Sequence, residues 1–324
     1  MFAGIGGFRL GIMQAAEELN IKTECVFSSE IEKNAIAIYN KNFGEIPSGD
    51  ITTIRTDDIN TMDVLCGGFP CQAFSIAGNR NGFDDARGTL FFEIARIARD
   101  KRPKILFLEN VKGLLNHDKG RTFAIILLTL DELGYDVEWQ VLNSKDFGVP
   151  QNRERVFVIG HLRGARTRQI FPVWQDTGIR ERSTQPEKEI CQYANTLTAR
   201  QYASWNGNYV ALTERRTDEA KKIRSASMKT GKDWCPRRCK ELVPRNDDIM
   251  NCITATHGKE QLLYNGMRIR KLTPTECERL QGYPDGWTDG ITDSNRYKCL
   301  GNSVTVSVIK AIAKKILTCG IHHP

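Results

Sequence analysis

The chain has 324 residues, 40% apolar and 26% charged, with a net charge of +7, a balance that suits a globular protein with one large domain and a smaller one. No run of about 18 apolar residues occurs, so no membrane span is expected, and the N-terminus lacks the basic start and apolar core of a secretory leader. Ten cysteines without a regular framework read as reduced thiols in a cytoplasm. Cys66 with Cys71 and Cys235 with Cys239 each lack a second pair at zinc spacing, so no metal is expected.

Phe2-Ala3-Gly4-Ile5-Gly6-Gly7 reads as a glycine loop opening a helix over 8–19. Its glycines permit close backbone approach to a cofactor, although the full dinucleotide spacing is absent. A strand is predicted over 24–28 and a helix over 31–40. Glu30 follows that strand, where a carboxylate can hold ribose hydroxyls, and Asp50 stands where it could meet an adenine amino group. Met62-Asp63-Val64-Leu65 reads as a buried strand leading to Gly67-Gly68-Phe69-Pro70-Cys71-Gln72-Ala73-Phe74-Ser75. A cysteine just past a strand end, behind a proline that fixes one dihedral, is placed for exposure and attack. A small buried cysteine in a tight turn is the plainer reading of the loop alone.

Residues 89–99 show helical periodicity, 105–108 suit a central parallel strand, 123–133 form a helix stopped by Gly134, and 156–159 form a further strand. Leu108-Glu109-Asn110-Val111 puts a carboxylate at a strand end, where partial burial raises its pKa and suits proton donation to a ring nitrogen; Asn110 as a helix cap is the structural alternative. In Gln151-Asn152-Arg153-Glu154-Arg155 the alternating arginines are expected on one side of an extended chain.

From about residue 163 the periodicity breaks down. Residues 161–250 hold 18 Lys and Arg against 11 Asp and Glu, while the rest of the chain balances 28 against 28; a local basic excess favours a polyanionic partner. Helices resume over 275–281 and 304–317. Repeated βα units with an insertion before a C-terminal return predict an α/β fold with an open, mostly parallel sheet.

These segments, with Arg270-Lys271-Leu272-Thr273-Pro274-Thr275-Glu276-Cys277, Arg279-Leu280-Gln281-Gly282-Tyr283-Pro284 and Gly301-Asn302-Ser303-Val304, resemble in order and spacing the C5-cytosine DNA methyltransferases of bacterial and phage restriction-modification systems. The resemblance implies a Rossmann-like fold dependent on S-adenosylmethionine, with a mixed, mostly parallel sheet. Residues 1–164 would form the catalytic domain, 165–265 a smaller, irregular target-recognition domain carrying the basic excess, and 266–324 the return to the catalytic domain. It also implies that Cys71 attacks C6 of a flipped cytosine, Glu109 holds N3, Arg155 contacts O2, and Arg153 supports the base pocket or the DNA backbone. For the cofactor, Phe2 would stack on adenine, Gly4, Gly6 and Gly7 would line the methionine side, and Glu30 would bind ribose. Asp50 and Ile51 would meet adenine, Leu90 the methionine portion, and Asn302 and Ser303 would close the site that Ile31 and Pro70 complete.

The implied partner is duplex DNA, with a cognate restriction endonuclease acting separately and the enzyme itself a cytoplasmic monomer. A tRNA-directed relative and a catalytically silent DNA-binding relative are the alternatives. Family members carry an apolar strand before the glycine loop, whereas this chain opens on Met1-Phe2. The sheet is therefore expected to lack a member and the loop its anchor.

Overall fold

The computed structural model describes residues 1–70, 90–173, 210–229, 240–244, 250–251, 262–264 and 269–320. The central sheet is built from β1 (Val64–Gly68), β2 (Ile105–Val111), β3 (Tyr135–Asn143) and β5 (Glu154–Leu162), in the order β1-β2-β5-β3, with the two-residue β4 (Gln151–Asn152) just before β5. Sheet and helices alternate as expected and the sheet is mixed. Three of its four strands run the same way, as expected: β1 and β2 pair in parallel, and β5 alone is reversed, antiparallel to both β2 and β3. Strand β3 follows helix α4 (Arg121–Glu132), and the chain returns from it to β5 through residues 144–153, which carry a 3-10 turn and β4. Short connections join antiparallel neighbours.

Strand β2 is buried from Ile105 to Asn110, as an apolar run covered on both faces must be. Leu106 and Leu108 join Val156, Val158 and the apolar sides of α3 (Leu90–Lys101) and α4 on one face. Ile105 and Phe107 join Phe157, Ile159 and Val308, Ile309 and Ile312 of α8 (Val306–Lys315) on the other. Each such side chain contributes roughly 1.5–3 kcal/mol by burial. Helix α1 (Gly7–Glu18) lies against α8, and a Cβ on Gly11 would stand 2.7 Å from Ile309 Cγ2. Only glycine allows that approach.

Helix α2 runs Lys33–Phe43, later than predicted, because the Glu32 carboxylate accepts from Ala35 N at 2.8 Å and so caps the first turn. Gly44, at φ 69°, ends it. The predicted strand over 24–28 has no ladder among the described residues. Its neighbourhood instead makes single backbone bonds, Ala3 N to Ser29 O and Ser48 N to Ser28 O. Met1 is buried, and its amino nitrogen donates to Cys66 O at 2.8 Å. The glycine loop is thus anchored on β1 and on Ser29, where no anchor was expected.

Within the region expected to be irregular, β6 (Val210–Arg216), β7 (Lys240–Pro244) and β9 (Leu262–Tyr264) form an antiparallel sheet with β10 (Ile269–Lys271), which lies in the segment expected to return to the catalytic domain, in the order β10-β9-β6-β7. Helix α5 (Asp218–Lys229) follows β6, and β8 (Met250–Asn251) pairs in parallel with β4. The C-terminal return carries α6 (Pro274–Leu280), opened by a Thr273/Glu276 capping box, and α7 (Asp293–Asn302) before α8. No helix among the described residues is long and apolar enough to cross a membrane.

Candidate active site

The carboxyl ends of β1 and β2 lie side by side, with Gly68 opposite Glu109 in the parallel ladder. A Cβ on Gly68 would stand 2.9 Å from Glu109 Oε2, so a glycine is needed for the carboxylate to lie flat against the neighbouring strand. Phe69 is buried, and its carbonyl accepts from Asn110 Nδ2 at 2.8 Å. Asn110 also accepts Val111 N through Oδ1, so it ties the two strand ends together rather than capping a helix. Pro70 is exposed at the end of this segment. Cys71 lies outside the described residues, as does the rest of 71–89.

Glu109 is 9% exposed, and burial pushes its carboxyl above the ordinary value, while the Arg155 and Arg153 cations pull it down. Arg155 Nε meets Glu109 Oε1 at 3.0 Å. The two arginines have different described partners, although both cations act on Glu109. Arg153 is buried and donates through Nη2 to Gly301 O at 3.1 Å and Ser303 O at 2.6 Å, holding the end of α7. Arg153 stands between β4 and β5.

The glycine loop turns sharply, with Phe2 and Gly4 both at φ 53° and Gly6 at φ 87°. Gly4 N donates to Glu30 Oε2 at 2.7 Å, and Ile31 N and Glu32 N donate to Oε1 at 2.8 and 2.9 Å. Three backbone amides thus fix one carboxylate. Asp50 accepts from Thr52 N and Oγ1 through Oδ1, which holds its carboxyl below the usual range, and Ile51 beside it is buried. Leu90 is half-buried at the start of α3, Asn302 is exposed at the end of α7, and Ser303 is buried.

The profile of the C-5 cytosine-specific DNA methylases matches residues 1–318. The chain belongs to this family. It is 42% identical over 321 residues to the type II methyltransferase M1.ScrFI of Lactococcus lactis subsp. cremoris, covering 98% of this chain and 77% of the relative. To M.HpaII of Haemophilus parainfluenzae it is 42% identical over 332 residues, covering 98% and 88%. The solved structure of the S. pombe Dnmt2 methyltransferase shares the fold with a TM-score of 0.64 at 19% identity, covering 98% and 96%.

C-5 cytosine methylases take their methyl group from S-adenosylmethionine, and the loop suits such a donor. Among the described residues a Cβ on Gly4 would meet nothing within 4 Å, so the described residues leave space beside the fixed Glu30 carboxylate, an acceptor suited to a ribose diol. Gly6 and Gly7 differ, because their Cβ positions would fall on Phe43 and on Tyr283. These two glycines make room for protein side chains, leaving Gly4 as the loop glycine beside that space. Sequence reasoning did not foresee Asn110 as the tie between β1 and β2; its amide next to Glu109 was the available signal. No cluster of three or more metal-ligating side chains occurs among the described residues, and Cys235 and Cys239 lie outside them.

Proposed function

We propose that Cys71, Glu109 and Arg155 are the catalytic set of this DNA cytosine-C5 methylase. The observation that carries this reading is the buried Glu109–Arg155 pair at the carboxyl end of β2, beside the β1 end that runs into Cys71. Cytosine C5 is a weak nucleophile. Addition of the Cys71 thiolate to C6 makes the ring electron-rich at C5, and Glu109, whose carboxyl burial pushes up, holds N3 as charge develops there. Arg155 fixes the Glu109 carboxylate and contacts the base oxygen. S-adenosylmethionine, when bound, supplies a methyl group activated on a sulfonium sulfur. Once C5 carries the methyl group, removal of its proton and elimination of Cys71 restore the aromatic ring. The base must leave the duplex stack for Cys71 to reach C6.

In the same reading Phe2, Gly4, Gly6, Gly7, Glu30, Ile31, Asp50, Ile51, Pro70, Leu90, Asn302 and Ser303 surround the donor. Residues 165–265 read the DNA, with their basic excess on phosphates and a few polar side chains on base edges. The enzyme acts as a cytoplasmic monomer and protects DNA from a separate cognate endonuclease, a role supported by similarity to type II methyltransferases.

Incubation with tritium-labelled donor is expected to label C5 of cytosine in duplex DNA and not tRNA. A duplex with 5-fluorocytosine at the target is expected to trap a covalent adduct in the wild type and none in Cys71→Ala. Preferential labelling of tRNA would assign the chain to the RNA-directed class, and an adduct in the alanine variant would remove Cys71 as nucleophile.

A further inference from the structure

The turn at residues 5–7 rests on three aromatic side chains from distant parts of the chain. Trp287 Nε1 donates to Ile5 O at 2.9 Å. The Phe43 ring occupies the position of a Cβ on Gly6. A Cβ on Gly7 would overlap the Tyr283 hydroxyl and stand 2.6 Å from Val304 Cγ2 and 3.2 Å from Ser303 Oγ. The rings adjoin one another, with centroids 5.6 Å apart for Phe43 and Trp287 and 5.4 Å for Trp287 and Tyr283.

Packing accounts for the rings but not for the hydroxyl of Tyr283. A phenylalanine would fill the same space without burying a polar group, which is unfavourable unless bonded. Tyr283 is 4% exposed, and its oxygen lies 2.5 Å from Ser303 Oγ. Burial pushes the phenol well above its ordinary range, so it stays a neutral hydroxyl near neutral pH. Ser303 has three other described bonds, from its own N to Leu300 O at 3.2 Å, from Arg153 Nη2 to its carbonyl at 2.6 Å and from its own Oγ to Val304 O at 3.4 Å. Among the bonds described for Ser303, Tyr283 is thus the partner from outside the 300–304 segment that reaches the Ser303 side chain and also abuts the glycine loop.

We propose that Tyr283 is a positioning residue for the methyl donor: its hydroxyl fixes Ser303 against Gly7 and so joins the two chain segments that enclose the cofactor. The inference rests on the reading that Gly4, Glu30 and Ser303 contact S-adenosylmethionine.

Tyr283→Phe removes one oxygen and keeps the ring. Donor binding by calorimetry, kinetics with donor and DNA varied separately, and thermal unfolding test it together. The donor Kd and KM are expected to rise roughly 3- to 10-fold, the size of one hydrogen bond, with the change falling on these rather than on kcat or the DNA KM. Ser303→Ala is expected to weaken donor binding, and adding Tyr283→Phe to it should produce no further rise. Unchanged donor affinity in Tyr283→Phe, with or without a lower melting temperature, would overturn the proposal. So would additive effects of the two substitutions. Glu30→Ala separates the two levels. If it leaves donor binding intact, the cofactor-site reading falls. If it weakens binding while Tyr283→Phe does not, only the positioning role fails.

Discussion

Arg155 Nε lies 3.0 Å from Glu109 Oε1, with the two side chains only 18% and 11% exposed. The pair joins β2 to β5 across an antiparallel ladder and holds the carboxylate in one orientation. Glu109→Gln keeps the shape but loses the titrating proton, and is expected to lower kcat roughly 10²- to 10⁴-fold while donor binding is retained. Arg155→Lys replaces a planar fork by a point charge and should lower kcat in the same direction, by about 10²-fold if one developing-charge contact is lost. Single-turnover methylation with bound donor measures both. A donor Kd that rises in parallel would place the pair outside the base pocket.

The same burial predicts a pH signature. The Glu109 carboxyl is raised from an ordinary value of 4.5 chiefly by desolvation. A group with a raised folded-state pKa contributes stability that is complete below its unfolded value and is lost as pH rises through the folded one. From pH 4.5 upward, the wild type should therefore lose stability relative to Glu109→Gln, in which nothing titrates at this position. Denaturant unfolding of both proteins across the weakly acidic to neutral range reads the difference. A difference that stays constant with pH would mean that the carboxyl is not shifted.

Gly68 is the position where a single methyl group tests the site. Its Cβ would stand 2.9 Å from Glu109 Oε2, so in Gly68→Ala the carboxylate has to move or the strands have to part. Overpacking of this kind costs roughly 1–3 kcal/mol. A displaced catalytic group can lower kcat by up to about 100-fold, so activity is expected to fall further than the melting temperature implies. Full activity in Gly68→Ala would show that the Glu109 position is not critical.

The elements most legible in the sequence were those whose apolar runs were continuous or helical, among them β1, β2, α3, α4 and α8. Strand β3 went unread although Tyr135-Asp136-Val137-Glu138-Trp139-Gln140-Val141 alternates in period two. It lies at the sheet edge, where the alternation of a half-covered strand is weaker than a buried run. Helix α5, rich in charge, gave no apolar stripe. Residues 24–28 show the opposite failure, an apolar β-prone stretch with no ladder among the described residues, because propensity supplies no pairing partner. In the candidate site, Glu109 and Arg155 were legible because both stand on ladder strands. The partners of Arg153 and the aromatic support of Gly6 and Gly7 were not, since they join residues distant in sequence, 148 positions apart for Arg153 and Gly301, and no local pattern records them.

Arg153 separates structure from chemistry in this site. Its guanidinium is 3% exposed and donates to Gly301 O and Ser303 O, carbonyls at the end of α7 that helical bonding leaves unsatisfied. A cation there also complements the negative end of the helix. Arg153→Met fills similar volume but leaves both carbonyls without these bonds, and is expected to destabilise the protein by about 3 kcal/mol. Because Ser303 loses a support, donor affinity should fall as well. In Arg155→Met the pattern should invert, with kcat lowered and the melting temperature changed less. Thermal unfolding and single-turnover rates on the two variants provide the comparison. An Arg153→Met protein with an unchanged melting temperature and a lowered kcat would put Arg153 beside Arg155 in the base pocket instead.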